Sequence, residues 1–195
     1  MKSIKLLLIT IAFVVGGIKA SAQYWGEYNT SWYTYAGYSA FNYKLSYDKW
    51  INGVNVGVGH IRQVGFGHVY WDFEAAFTYG FKNGGVNDTK TTSVKIAFDL
   101  LRQFELADKV YLFPYVGIAV RYHTSGKTTT PNNIYEWFGD RNLGLKRFQF
   151  GLQTGFRVFI RRFYLGAEFQ QYLTEMLPGA HTRINMFGAS AGMRF

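Results

Sequence analysis

The sequence predicts an all-β protein, an eight-stranded antiparallel up-and-down barrel that crosses a membrane with its strands. Three observations carry this. Long segments alternate strictly between an apolar row and a small or polar row. Aromatic residues make up 19% of the chain, with 22 Gly and only 3 Pro, a composition that suits strands and tight turns. An export signal precedes the alternating segments.

That signal is residues 1–22. Lys2 and Lys5 give a basic start, Leu6 to Val15 form an apolar run, and Ala20-Ser21-Ala22 is a small-residue cleavage site. The run is shorter than the roughly 20 residues a transmembrane helix needs. Cleavage leaves one domain, residues 23–195, beginning at Gln23. Losing Lys2, Lys5 and Lys19 lowers the formal charge from +9 to +6. The basic residues form no stripe, so nucleic acid is not expected as a partner. With 0 Cys there are no disulfides, no thiolate metal sites and no lipid-modified cysteine.

"YWGEYNTSWYTY" (24–35) is an aromatic preface that suits an interfacial segment, a strand extension or girdle, or a small plug. The first strand is then read at 40–48, with Phe41, Tyr43, Leu45 and Tyr47 against Asn42, Lys44 and Ser46. The second sets Val54, Val56 and Val58 against Asn55, Gly57 and Gly59. The clearest is the third, "VYWDFEAAFTYGF", with Trp71, Phe73, Phe77 and Phe81 opposite Asp72, Glu74 and Thr78. Its thirteen residues exceed the five or six of an ordinary soluble strand. The fourth (93–101), fifth (110–122), sixth (147–160) and seventh (163–173) follow the same rule, with Pro114 and Thr154 as local interruptions. The eighth ends on "FGASAGMRF". An even strand number suits a closed single-chain barrel. Closure is required because every backbone donor and acceptor in a bilayer needs a protein partner.

Short and long connections alternate. With the N-terminus inside, the inner turns are 63–68, 101–109 and 161–162; the outer loops are 49–52, 82–90, 123–146 and 174–183.

The signal, the eight alternating segments and the last strand ending in Phe resemble the small eight-stranded outer-membrane β-barrels of Gram-negative bacteria, of the OmpA transmembrane-domain or OmpX type. The resemblance covers residues 23–195 and rests on pattern rather than on an active-site motif. It implies a place in the cell outer membrane, contact with outer-membrane lipids and lipopolysaccharide, and insertion by the barrel-assembly machinery. In that family a terminal aromatic with apolar residues at alternating positions before it resembles the assembly signal, which here falls on Phe187, Met193 and Phe195. Such barrels include structural, adhesion-related and lipid A-modifying members.

The inner row holds Lys44, Asp72, Glu74, Lys95, Asp99, Arg121, Arg147, Arg157 and Glu168. A pore or proton relay would need charges like these, but eight strands leave an interior only wide enough for side chains. The favoured reading is a salt-bridged filling, with inner Gly and Ala letting Tyr and Arg fold across the lumen. His123 and His181 lie in outer loops near Ser125, Asp140 and Glu175, but no nucleophile-elbow motif accompanies them. No His spacing suits a metal, and no cofactor is expected. In the longest loop, Tyr135, Trp137 and Phe138 form an aromatic cluster of the kind that anchors binding surfaces; capping of the barrel by these rings is the rival explanation. The expected function is therefore structural or surface-interacting, with loop 123–146 as contact surface. A lipid A acyl hydrolase or acyltransferase, or a narrow channel, is the alternative.

Overall fold

The computed structural model describes residues 30–42, 50–65, 67–82, 87–138, 143–177 and 182–195. The signal segment, Tyr43 to Tyr47 of the expected first strand, Asp140 and His181 fall outside them. The strands are β1 (Thr30–Asn42), β2 (Ile51–Gln63), β3 (Val69–Lys82), β4 (Asp88–Arg102), β5 (Phe104–Ala107), β6 (Val110–Thr129), β7 (Ile134–Glu136), β8 (Phe148–Ile160), β9 (Phe163–Tyr172) and β10 (Asn185–Arg194). Eight of these are long, and each pairs antiparallel with the next. β10 returns to β1, and a mutual pair of backbone hydrogen bonds between Trp32 and Phe195 extends the seam. The sheet is thus a closed eight-stranded barrel with no free long edge.

The alternation decides what faces where. Val54, Val56, Phe73, Phe77, Ile96, Phe98, Ile118, Phe156 and Leu165 are exposed on the outer wall. Their counterparts one residue along, such as Asp72, Glu74, Lys95 and Arg157, are buried inside. A continuous apolar belt around a whole barrel exceeds what water-facing monomers expose. It fits hydrocarbon, which also explains aromatic residues at both of its margins. Trp32, Trp71 and Phe163 stand at one margin, and Tyr38, Trp50, Tyr122, Phe148 and Phe187 at the other. Thr154, on the outer wall, turns its hydroxyl into the sheet and donates to the Tyr115 carbonyl at 2.9 Å.

The two ends differ. One carries the tight connections, including Arg161-Arg162, where Arg161 takes the left-handed region at φ 54°. The expected turn 101–109 contains β5, which folds back on β6 through Asp108 and Lys109. The other end carries the two longest connections, from β6 to β8 and from β9 to β10.

Two expectations need correction. The first strand begins at Thr30, so the segment 30–35 of the aromatic preface is wall, and Phe41 faces the lumen rather than lipid. Parity is set by Tyr33 and Tyr35, which point inward, and Phe41 shares their row. The second concerns the longest loop. β6 continues past residue 123 to Thr129, paired first with Asp88–Thr92 of β4 and then with β7. A bulge at Thr124 shifts the register between Thr92 and Ser93. Loop 123–146 is therefore a strand extension, a hairpin and a returning segment. Above the lipid belt neither face needs to be apolar, and the bulge breaks the alternation, so this stretch carries no strand signature.

Candidate functional site

The lumen is filled in layers. Toward the turn end lies an aromatic layer that includes Tyr33, Tyr35, Tyr70, Phe113, Tyr115 and Phe159. Tyr33 and Tyr35 lie directly across from Gly59 and Gly57. A methyl group at either glycine would overlap the facing tyrosine ring. The two glycines are thus the recesses that let these rings lie across the barrel.

The rings deliver their hydroxyls to the ionic centre. Tyr33 donates to Asp72 at 2.7 Å and Tyr35 to Glu74 at 2.5 Å. Arg157 reaches across the lumen, and its Nη2 lies 2.9 Å from Asp72, 2.8 Å from Glu74 and 2.9 Å from Asp99. Its guanidinium also covers the Tyr115 ring at 4.1 Å. Lys95 bridges Glu74 at 2.6 Å and Glu168 at 3.0 Å. Gln153 donates to Asp99, and Gln170 to Glu168. Buried charge is tolerable only when paired and hydrogen-bonded, and each carboxylate here has a cation and at least one further donor or cation. Asp72, Glu74 and Asp99 bring three carboxylate oxygens within 4.8 Å, a donor set that would suit a divalent ion by chemistry. The charge at their centre is Arg157's own.

Above this, Arg121 donates to Tyr172 at 2.8 Å, Ser93 at 2.7 Å and Gln170 at 3.2 Å. The mouth is then closed by Trp137 and Phe138, which are only 4% and 6% exposed and pack with Phe41, Ile51, Leu145 and Met176. Trp137 donates through Nε1 to Thr128 at 2.9 Å. His123, fully buried, stacks on Phe138 at 5.7 Å.

The residues singled out from sequence thus divide. Asp72, Glu74, Lys95, Asp99, Arg157 and Glu168 meet in one network. Arg147 does not join it. It sits at the mouth, where it donates to the carbonyls of His123 and Thr124 and covers the Phe138 ring at 4.9 Å. The bulge at Thr124 leaves those carbonyls within its reach. Of the aromatic cluster, Trp137 and Phe138 cap the barrel, and Tyr135 stays 44% exposed on the hairpin. Phe187, Met193 and Phe195 all stand on the outer wall, exposed. His123 faces the lumen while Ser125 faces outward, so the two do not converge. Sequence reasoning left Tyr33, Tyr35, Gln153 and Gln170 out of the network. The facing pairs Tyr33–Gly59 and Tyr35–Gly57 were the signal for the tyrosines, and they became visible only with the register.

No family model matches the sequence, and no curated protein does. Solved structures do match. The outer membrane enzyme PagL is 17% identical, with a TM-score of 0.57 over 83% of this chain and 97% of that one. Neisserial surface protein A is 11% identical, with a TM-score of 0.55 over 85% and 96%. A major outer membrane protein from Thermus thermophilus is 16% identical, with a TM-score of 0.50 over 85% and 99%. At such identities the likeness is one of fold. The chain has the fold of the small eight-stranded outer-membrane barrels.

Proposed function

We propose that the protein is a non-enzymatic barrel of the cell outer membrane that acts as a structural and surface-interaction protein, with the β6–β7 hairpin as its contact surface. One observation carries this reading. The lumen is occupied from end to end by rings and ion pairs, whereas the hairpin rises beyond the lipid belt and exposes Ile134 (66%) and Tyr135. The hairpin turn is held by Thr130, whose backbone N–H donates to the Asn133 carbonyl at 2.8 Å and whose hydroxyl accepts from the Asn133 N–H at 3.0 Å. A hydrogen-bonded turn presenting an aliphatic and an aromatic side chain suits contact with a partner outside the cell. The partners inferred are outer-membrane lipids and lipopolysaccharide around the wall, and the barrel-assembly machinery acting on the row Phe187, Met193 and Phe195.

The test compares cells displaying the wild type with cells displaying Ile134→Ser/Tyr135→Ser. Attachment to immobilised proteins and glycans should fall in the variant while the amount of folded barrel is unchanged. Lipid A from both strains and from a strain lacking the protein should have one and the same mass. A mass change that depends on the protein would replace this reading with the lipid-modifying enzyme.

A further inference from the structure

The outer wall of β4 and β6 changes character upward in three steps. Val94 and Tyr122 form one cross-strand pair, at the loop-end margin of the apolar belt. Above them the bulge places Thr124 and Ser125, consecutive residues, both on the outside. Their hydroxyls converge on the Thr92 hydroxyl, at 2.6 and 2.7 Å. One further step up, about 7 Å along the strand, Lys90 and Lys127 stand directly opposite each other on the same wall, both exposed. Like charges directly opposite in a sheet are destabilising. Among the described residues neither ammonium group has an ion-pair or hydrogen-bond partner. Glu136 lies across from Lys127 on the side away from Lys90, and Asp88 lies two residues above Lys90, farther from the belt. The level nearest the lipid on this wall therefore carries two cations and, on the far side of Lys127, the single carboxylate of Glu136, so its net charge is positive.

We propose that Lys90 and Lys127, with the hydroxyls of Thr92, Thr124 and Ser125, hold the phosphate of a lipid headgroup in the leaflet at the loop end. An anion between the lysines relieves their mutual repulsion, and the hydroxyls beneath supply donors at headgroup depth. The acyl chains of such a lipid would lie against Val94, Tyr122 and Ile96. Bulges re-aim side chains in this way where a sheet meets a ligand. The inference rests on the outer-membrane placement proposed above.

The experiment is native mass spectrometry of the detergent-solubilised full chain with lipid A in diphosphorylated and dephosphorylated forms, and with inorganic phosphate as competitor. The wild type should prefer the phosphorylated lipid by about tenfold or more, as two lysines at a membrane surface provide. Lys90→Gln/Lys127→Gln should lose that preference. Arg62→Gln/Arg162→Gln, which removes equal charge at the turn end, should keep it. A preference unchanged in the lysine variant would overturn the inference, as would full displacement by millimolar inorganic phosphate. A wild type that stays soluble without detergent would remove the outer-membrane reading itself. A folded barrel that ignores the two lysines removes only this site.

Discussion

Replacing Arg157 with Met takes away the one cation within ion-pair distance of Asp72 and Asp99 among the described residues. Glu74 and Glu168 would keep Lys95, at 2.6 and 3.0 Å. Among the described residues, Asp72 would keep only the Tyr33 hydroxyl and Asp99 only the Gln153 amide. Breaking a buried ion pair by removing one partner costs about 3–5 kcal/mol, because the abandoned charge stays desolvated. Two abandoned carboxylates, together with the lost contact on the Tyr115 ring, put Arg157→Met toward the top of that range. The assay is urea unfolding in lipid vesicles, followed by tryptophan fluorescence. The triple variant Arg157→Met/Asp72→Asn/Asp99→Asn should recover most of the loss, because amides can still accept from Tyr33 and Gln153 without carrying charge. If Arg157→Met unfolds within about 0.5 kcal/mol of wild type, the range surface substitutions show, the shared pairing described above does not exist. A triple variant no more stable than the single one would refute the charge argument.

Phe195→Ala should lower the yield of folded barrel in cells, since its ring is 73% exposed beside the Trp32 seam, where an aromatic anchors the interface; wild-type yields would contradict this. Planar-bilayer recording should show little or no stable conductance, because rings, ion pairs and the Trp137/Phe138 cap fill the lumen. Reproducible large openings would restore the channel reading. Trp137→Ala/Phe138→Ala should destabilise the barrel by several kcal/mol in the same urea assay, as large-to-small core changes do, whereas Ile134→Ser/Tyr135→Ser should leave stability within about 0.5 kcal/mol.

What was legible in the sequence depended on contrast between the two faces of a strand. In β3, Phe73 and Phe77 alternate with Asp72, Glu74 and Thr78, so both the strand and its lumen residues could be read directly. β4, β8, β9 and β10 shared that contrast, and the ionic group except Arg147 followed from their inner rows. In β1 the contrast vanishes. Trp32 and Tyr38 face out while Tyr33, Tyr35 and Phe41 face in, so aromatics on both rows left no parity to read. The inward rings are supported by Gly57 and Gly59 on the neighbouring strand, a cross-strand fact no single segment contains. In the upper part of β6 the bulge reverses parity at Thr124, and a polar strand above the lipid looks like a loop. The roles of Trp137 and Phe138 were open for the same reason. A loop aromatic reads alike whether it meets a partner or folds back onto its own barrel mouth.

The barrel closes where β1 meets β10, with Tyr33 to Asn42 paired to Arg194 to Asn185. Ala36 and Ala191 are direct partners on the outer wall, and the chain has 0 Cys, so Ala36→Cys/Ala191→Cys introduces the only two thiols. Partner Cα atoms in such a pair lie about 5.5 Å apart, within the span a disulfide bridges. Mild oxidation of the membrane-inserted variant should give an intramolecular disulfide between positions 36 and 191, and moving one thiol three residues along, to Gly188, should abolish it. Free thiols after oxidation, or crosslinks found only between separate molecules, would show that the seam is not closed as described.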